Sequence, residues 1–149
     1  MLTWGEFAAL QPEMAEFGLK RLEYRVMYLA TLRKNGCPRV HPFTPFVRSG
    51  HLFAFMEPVS PKGLDLQRGG LYAMHSLVTD MNGTNGEFAI AGRAELVTDP
   101  SIRDLAVRGC PYSPRDRYIC FEFKLEDCMT NTYANGVPNI RHWKEKAGP

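Results

Sequence analysis

The strongest signals of the fold lie between Tyr28 and Leu66, in the stretch YLATLRKNGCPRVHPFTPFVRSGHLFAFMEPVSPKGLDL. Short apolar runs at 28–32 and 51–55 flank a longer run at 39–47, and an Asn-Gly and a Ser-Gly turn separate them. Such runs, joined by glycine-containing turns, are typical of consecutive antiparallel strands. The stretch therefore predicts three strands followed directly by a helix.

The junction between the third predicted strand and the helix carries the first chemical signal. Ser60 is a natural N-cap, and Pro61 suits the first helical position. Lys62 then lies at the positive end of the helix dipole, where a cation is unfavourable unless an anion binds beside it. Free backbone N–H groups, a hydroxyl and an ammonium together predict a phosphate-binding seat. An ordinary helix start with a solvated lysine stays open, and Asp65 and Arg68 are expected to form a solvated helix face.

The predicted second strand, 39–47, contains Pro42 and Pro45, and neither proline can donate to a strand ladder. Because they are three residues apart, the missing donors point to opposite edges of the strand. The strand therefore cannot be fully paired on either side. It is either an exposed edge strand or a strand at a split in a barrel, where backbone groups face a ligand.

The rest of the chain predicts further short strands around a single domain of 149 residues. Residues 1–23 are expected to be an N-terminal helical segment, broken at Pro12, and residues 144–149 a flexible tail. Six or seven strands with short helices favour a closed or nearly closed antiparallel barrel. The other predicted elements are strands at 71–78, 87–97, 118–133 and 139–143, a bulge at Gly92, and a helix between 99 and 109.

Composition excludes several classes of function. A net charge of +2, with 44% hydrophobic and 23% charged residues, is that of an ordinary soluble globular protein and predicts no nucleic-acid partner. The N-terminus MLTWGEFAAL lacks the features of a signal peptide, and no apolar run of 18 residues follows. We therefore expect a cytoplasmic protein with no membrane partner.

The four cysteines form no CxxC pair, and no histidine pair has metal spacing, so no metal site is predicted.

The pieces YLATLRKNGCPRVHPFTPFV, GHLFAFM and SPKGLDLQRGG and, more loosely, EFAIAGRAELV resemble the FMN-binding split-barrel family related to pyridoxamine 5′-phosphate oxidase. The resemblance lies between Tyr28 and Val97. It implies a mostly β fold, a six-stranded antiparallel split barrel with short helices, and a homodimer with two FMN sites at its interface. The arginine-and-histidine pattern that holds pyridoxal phosphate in those oxidases is not found here, so the substrate is left unidentified.

Carried over by position, the resemblance gives Arg39 a phosphate- or ribityl-facing role and places main-chain groups of residues 40–44 along the edge of the isoalloxazine ring. Ser60 and Lys62 match the phosphate clamp, although the oxidases usually carry arginine where this chain has Pro61. His41 is either a donor to the flavin edge or a strand histidine without chemistry. Trp143 either reaches the partner subunit's flavin or plugs the end of the barrel. The candidate cofactor-binding residues are Arg39, Val40, His41, Pro42, Phe43, Thr44, Ala54, Phe55, Ser60, Lys62 and Trp143.

The resemblance implies first an FMN-dependent oxidoreductase that acts on an unidentified small substrate. The open face of the flavin ring would take a small reducible substrate or a nicotinamide electron donor. In such proteins the redox chemistry belongs to the cofactor, and the protein binds it, orients it and controls access to it. No catalytic side chain is singled out. Two alternatives stay open: a non-catalytic flavin or haem carrier or sensor on the same barrel, and a reductase that uses a deazaflavin.

Overall fold

The computed structural model describes residues 1–146, which form four helices and eight strands. The helices are α1 (Trp4–Leu10), α2 (Pro12–Leu22), α3 (Pro61–Gly69) and α4 (Pro100–Gly109). The strands are β1 (Met27–Leu32), β2 (Pro38–Phe43), β3 (Phe46–Arg48), β4 (His51–Met56), β5 (Leu71–Ser76), β6 (Glu87–Leu96), β7 (Ile119–Ala134) and β8 (Val137–Lys144).

All eight strands belong to one antiparallel sheet with the order β2-β1-β5-β6-β7-β4-β3, and β8 pairs with β7. The mostly β fold with short helices is confirmed. The structure has eight strands, against the six or seven expected, because the predicted second strand is two separate strands; β8 corresponds to the strand predicted at 139–143. The sheet curls around a core without closing, since β2 and β3 lie at its two ends.

The predicted strand at 39–47 breaks at Pro45. Residues on its N-terminal side form β2 and pair with β1, whereas residues on its C-terminal side form β3 and pair with β4. The β3–β4 ladder stops at the pair Phe46–Phe53, because Pro45 has no N–H to continue it. The expected incomplete pairing is therefore confirmed, and two strands adjacent in sequence stand at opposite ends of the sheet. This opening is called the split below.

The N-terminal helices form as expected from their capping residues. Thr3 and Glu6 make a reciprocal capping box, in which the Glu6 N–H donates to Thr3 Oγ1 at 3.2 Å and the Thr3 N–H donates to Glu6 Oε2 at 2.7 Å. Gln11 ends α1, and Pro12 starts α2. Both helices bury apolar side chains against the sheet: Trp4, Phe7, Met14, Ala15 and Leu22.

A main hydrophobic core fills the interior of the curled sheet, and a smaller cluster lies between β3, β4, β7 and α4. The bulge in β6 falls between Ala91 and Gly92, as expected. A Cβ at Gly92 would collide with the Lys124 carbonyl oxygen, so only glycine allows the two strands to approach there. The members of the smaller cluster are Phe46, Phe53, Phe55, Ala106 and Cys120.

The C-terminal strand is longer than expected. Lys144 ends β8, the Glu145 N–H donates to the Glu126 carbonyl at 2.8 Å, and the Glu145 carboxylate lies 2.7 Å from the Met1 ammonium. The predicted tail at 144–149 therefore starts too early, and residues 147–149 lie outside the described part of the chain. Across residues 1–146, every helix is too short or too polar to cross a membrane.

Candidate functional site

The start of α3 is built as the sequence predicts. Ser60 is the N-cap: its Oγ accepts a 3.2 Å hydrogen bond from the Gly63 N–H and donates a 2.7 Å bond to the Glu57 carbonyl. A Cβ at Gly63 would lie 2.6 Å from the Glu57 oxygen, so the turn closes only around glycine. The hydroxyl hydrogen of Ser60 is therefore engaged within the turn and is not free for a ligand.

Lys62 supplies the free donors at this helix start. Pro61 has no N–H, and the Gly63 and Leu64 amides already donate to Ser60. Within residues 1–146, neither the backbone N–H nor the ammonium of Lys62 has a hydrogen-bond or ion-pair partner. A free amide and a free cation at the positive end of a helix are the groups that bind an anion.

Arg39 is fixed beside this helix by a buried carboxylate. Its Nε donates a 3.0 Å hydrogen bond to Asp65 Oδ2, which also accepts a 2.8 Å bond from the buried hydroxyl of Thr31. The side chain of Asp65 is only 2% exposed, whereas that of Arg39 is 27% exposed. The two terminal nitrogens of Arg39 have no partner among the described residues, so its guanidinium keeps a free fork for a ligand.

Asp65 is the functional residue that sequence reasoning missed, because it was expected on a solvated face. Arg68 Nη2 also donates to Asp65 Oδ1, at 3.2 Å. Burial alone would raise the pKa of Asp65, but the hydrogen bonds from Thr31 and Arg68 and the charge of Arg39 together hold that pKa below its ordinary value. The three-residue spacing of Asp65 and Arg68 was visible in the sequence, but the contacts with β1 and β2 were not.

His41 shares the inward face of β2 with Arg39 and Phe43, as strand periodicity predicts. Its Nε2 is buried and has no hydrogen-bond partner in the described structure. Burial, followed by the positive charges of Lys62 and Arg39, lowers the pKa of His41. An unpaired buried ring nitrogen is costly unless a ligand satisfies it, so His41 fits the wall of a cofactor site.

Val40 and Pro42 point to the opposite, outward face of β2, and Val40 is 64% exposed. On that face Val40 continues a row of directly paired residues across four strands: Val40, Ala30, Ala73 and Ala91. Together with Tyr28 and Ala89 of the next row, these residues form a shallow apolar depression of about 360 Å³, here called the alanine face.

The other wall of the split is β4. Ala54 is 1% exposed and belongs to the main core, whereas Phe55 stacks on Phe46 at a centroid distance of 6.2 Å in the smaller cluster. Their side chains are therefore unavailable to a ligand. Residues 54–56 of β4, however, pair only with β7, and their edge toward β3 is unpaired. Thr44 lies between β2 and β3 and belongs to neither strand. Unpaired backbone thus faces the split from both sides, which fits main-chain contacts with a ring.

Trp143 lies apart from these residues within one chain. It stands on β8, separated from β2 in the sheet by β1, β5, β6 and β7. Its ring packs on Phe7, with centroids 5.1 Å apart. The structure therefore brings together Arg39, His41, Lys62 and the split, but not Trp143, whose contact with a cofactor of a partner subunit remains a prediction.

The comparisons with known proteins concern the fold. No family model matches the sequence, and no curated protein matches it. Solved structures do: a heme binding protein from Mycobacterium smegmatis (13% identity, TM-score 0.67, 86% of this chain) and a NimC/NimA family protein from Clostridium acetobutylicum (18%, 0.65, 93% of this chain and 92% of that one). An F420 reductase matches at 19% identity and a TM-score of 0.53, over 72% of this chain and 90% of its own.

This chain spans 55% of the length of the heme binding protein. At these identities the likeness shows the fold alone, which is a split barrel. The family resemblance read from residues 28–97 is thereby confirmed at the level of the fold.

Proposed function

We propose that this chain is an FMN-binding protein that works as a homodimeric flavin-dependent oxidoreductase on a small substrate. The observation that carries the proposal is Lys62, whose backbone N–H and ammonium are both unpartnered at the start of α3. Arg39, whose guanidinium fork is free, is held by a hydrogen bond to Asp65 of the same helix. A dianionic phosphate is the ligand that best satisfies these donors.

Each part of the site has a separate task in this proposal. Lys62 and Arg39 hold the phosphate, and the unpaired backbone at Thr44 and at residues 54–56 positions the ring. His41 Nε2 is a ring nitrogen with a vacant hydrogen-bonding position, which a heteroatom of the cofactor would fill. When bound, FMN supplies the redox chemistry. The chain binds it and orients it.

The dimer is proposed from the alanine face. This surface is apolar, is built largely from small side chains, and is covered by no other part of the described chain. Val40 places it directly beside the backbone proposed to contact the ring, so a second copy packed there would close the cofactor site from outside. An apolar sheet face of this kind is a common mark of an interface.

The test of the flavin proposal is direct. Purified protein is treated to remove bound cofactor and titrated with FMN while the flavin fluorescence is recorded, and the loaded protein is then mixed with NADH or NADPH. We expect saturable binding and bleaching of the flavin absorption by one of the two donors. A protein that binds no FMN under these conditions refutes the proposal.

A haem carrier is the second candidate, because a buried imidazole nitrogen without a partner can also ligate iron. Haem-binding proteins occur among the structural neighbours. The visible spectrum of freshly purified protein separates the candidates, since flavin and haem absorb differently. The mass of the released cofactor distinguishes FMN from a deazaflavin, which the likeness to an F420 reductase keeps as an alternative.

A further inference from the structure

A second cluster of positive charge lies beyond the proposed phosphate seat. It lines an open cleft of about 540 Å³ between the β1–β2 turn and α3. Four cations and one carboxylate line this cleft: Arg33, Lys34, Arg39, Arg68 and Asp65, with Asn35 between the two strands. The single carboxylate leaves the cleft with a strong excess of positive charge, although the whole chain carries only +2.

Two of these cations are held in fixed positions. Asp65 accepts from both Arg39 and Arg68, and Arg68 also donates to the Leu32 carbonyl at 3.1 Å. The Asp65 side chain is nearly completely buried, so its carboxylate is shielded from a ligand. Its oxygens instead accept hydrogen bonds from the two guanidinium groups. The terminal nitrogens of Arg39 remain free, which is the arrangement expected of a built anion site.

The other two cations, Arg33 and Lys34, are exposed on the β1–β2 turn. Their side chains make no hydrogen bond or ion pair with residues 1–146, and the turn itself is closed by backbone bonds between Arg33 and Cys37 and between Gly36 and Arg33. They therefore contribute charge to the cleft without a structural role. Exposed cations of this kind steer and hold anionic ligands.

The cleft and the phosphate seat share Arg39, which lines the cleft and is proposed to hold the phosphate together with Lys62. Its hydrogen bond to Asp65 fixes Arg39 against α3, the helix whose first turn carries Lys62. Lys62 and Arg68 are six residues apart on α3, roughly 9 Å along the helix axis. One phosphate at Lys62 leaves Arg33 and Lys34 of the cleft without a counter-ion among residues 1–146.

We propose that this cleft is a second anion-binding site, which takes a further phosphate of a nucleotide ligand. The inference rests on the proposed flavin site, because Arg39 is shared by both. The shared chemistry is a second phosphate group, and it has two sources: the second phosphate of a flavin dinucleotide, or a phosphate of the nicotinamide donor.

The experiment compares three proteins: the wild type, Arg33→Gln/Lys34→Gln, and the matched control Lys20→Gln/Arg25→Gln, which removes two cations from α2 and the segment after it. Each is stripped of cofactor and titrated with FMN and FAD, and FMN-loaded protein is titrated with NADPH. If the second phosphate belongs to the flavin, FAD binds the wild type and the control about tenfold tighter than FMN, and Arg33→Gln/Lys34→Gln loses that difference.

If the second phosphate belongs to the donor, Arg33→Gln/Lys34→Gln weakens NADPH binding about tenfold relative to the control, with FMN affinity unchanged. Unchanged affinity for FAD and NADPH in Arg33→Gln/Lys34→Gln overturns the cleft proposal while the flavin proposal stands.

If the wild type binds no FMN, the flavin proposal fails alone, and the cleft is then tested with inorganic pyrophosphate in a thermal unfolding assay. Thermal stabilisation by pyrophosphate that is lost only in Arg33→Gln/Lys34→Gln supports the cleft, and equal stabilisation of all three proteins overturns it.

Discussion

Arg39 Nε donates a 3.0 Å hydrogen bond to the buried carboxylate of Asp65, and this contact joins the edge strand β2 to helix α3. The pair connects the two elements that the proposed phosphate seat needs. Because Asp65 also accepts from Thr31 of β1, one carboxylate ties together both strands of the first hairpin and the helix packed against them. The seat is therefore supported by a contact between residues 26 positions apart in the sequence.

Replacing Lys62 by alanine is expected to weaken FMN binding by about ten- to a hundredfold, because a charge-assisted hydrogen bond to the phosphate is lost. Thermal stability should stay the same, since the Lys62 side chain has no partner in the described chain. Fluorescence titration of the apoprotein measures the affinity. Lys20→Ala, on the exposed side of α2, is the control and should bind FMN as the wild type does. Equal affinities of Lys62→Ala and wild type would exclude Lys62 from the phosphate seat.

Asp65→Asn should lower the free energy of unfolding by about 1–3 kcal/mol, because the ionised acceptor of three hydrogen bonds is replaced in a buried position. Urea unfolding measures the change. Asp104 lies exposed on α4, and Asp104→Asn is expected to change the stability by less than about 0.5 kcal/mol. Equal stabilities of the two variants would show that the Asp65 contacts contribute nothing net.

Two glycines of α3 should respond in opposite directions to alanine. At Gly63 a Cβ would lie 2.6 Å from the Glu57 carbonyl oxygen and would also press on the Ser60 cap, so Gly63→Ala should destabilise the protein and weaken FMN binding. At Gly69 a Cβ meets nothing within 4 Å. Gly69→Ala should therefore be neutral or stabilise by up to about 1 kcal/mol, since alanine favours helix. Differential scanning calorimetry of both variants tests the pair, and a stable Gly63→Ala protein with unchanged FMN binding would contradict the tight turn.

Stability should fall as the pH is lowered from about 7.5 through the ordinary titration range of histidine, near pH 6.5. The pKa of His41 is lowered in the folded protein by burial and by the nearby cations. In this range the unfolded chain takes up a proton at His41 that the folded chain does not, so protonation favours unfolding. Urea unfolding across this range measures the slope. His41→Gln should reduce it, and an unchanged slope in that variant would show that His41 does not cause it.

Ala73→Arg should convert the proposed dimer into a monomer without unfolding it. Ala73 is exposed in the centre of the alanine face, so the arginine is solvated in the monomer but clashes with a second copy. Light scattering measures the mass, and circular dichroism checks the fold. Val107→Arg, at an exposed position of α4, is the control and should leave the mass unchanged. A monomeric wild type, or a dimeric Ala73→Arg protein, would remove the alanine face as the interface.

Much of the fold follows from local sequence. The Ser60-Pro61 start of α3 lies where it was predicted, and so do the break at Pro12 and the bulge at Gly92. Caps, prolines and glycines act through their own backbone and their nearest neighbours, which is why a sequence can place them. Pro45 likewise predicted that the second strand could not be completely paired, because proline has no backbone N–H to donate.

Other features depended on contacts between distant parts of the chain. Local sequence is enough to predict the strands, the turns and the helix start that carries Lys62, because each depends on neighbours within a few positions. Long-range packing places β2 and β3 at opposite ends of the sheet and buries Asp65 against Arg39. It also aligns one row of residues across four strands: Val40, Ala30, Ala73 and Ala91. Strand order and register bring these groups together, and both are fixed by packing of the whole sheet around its core.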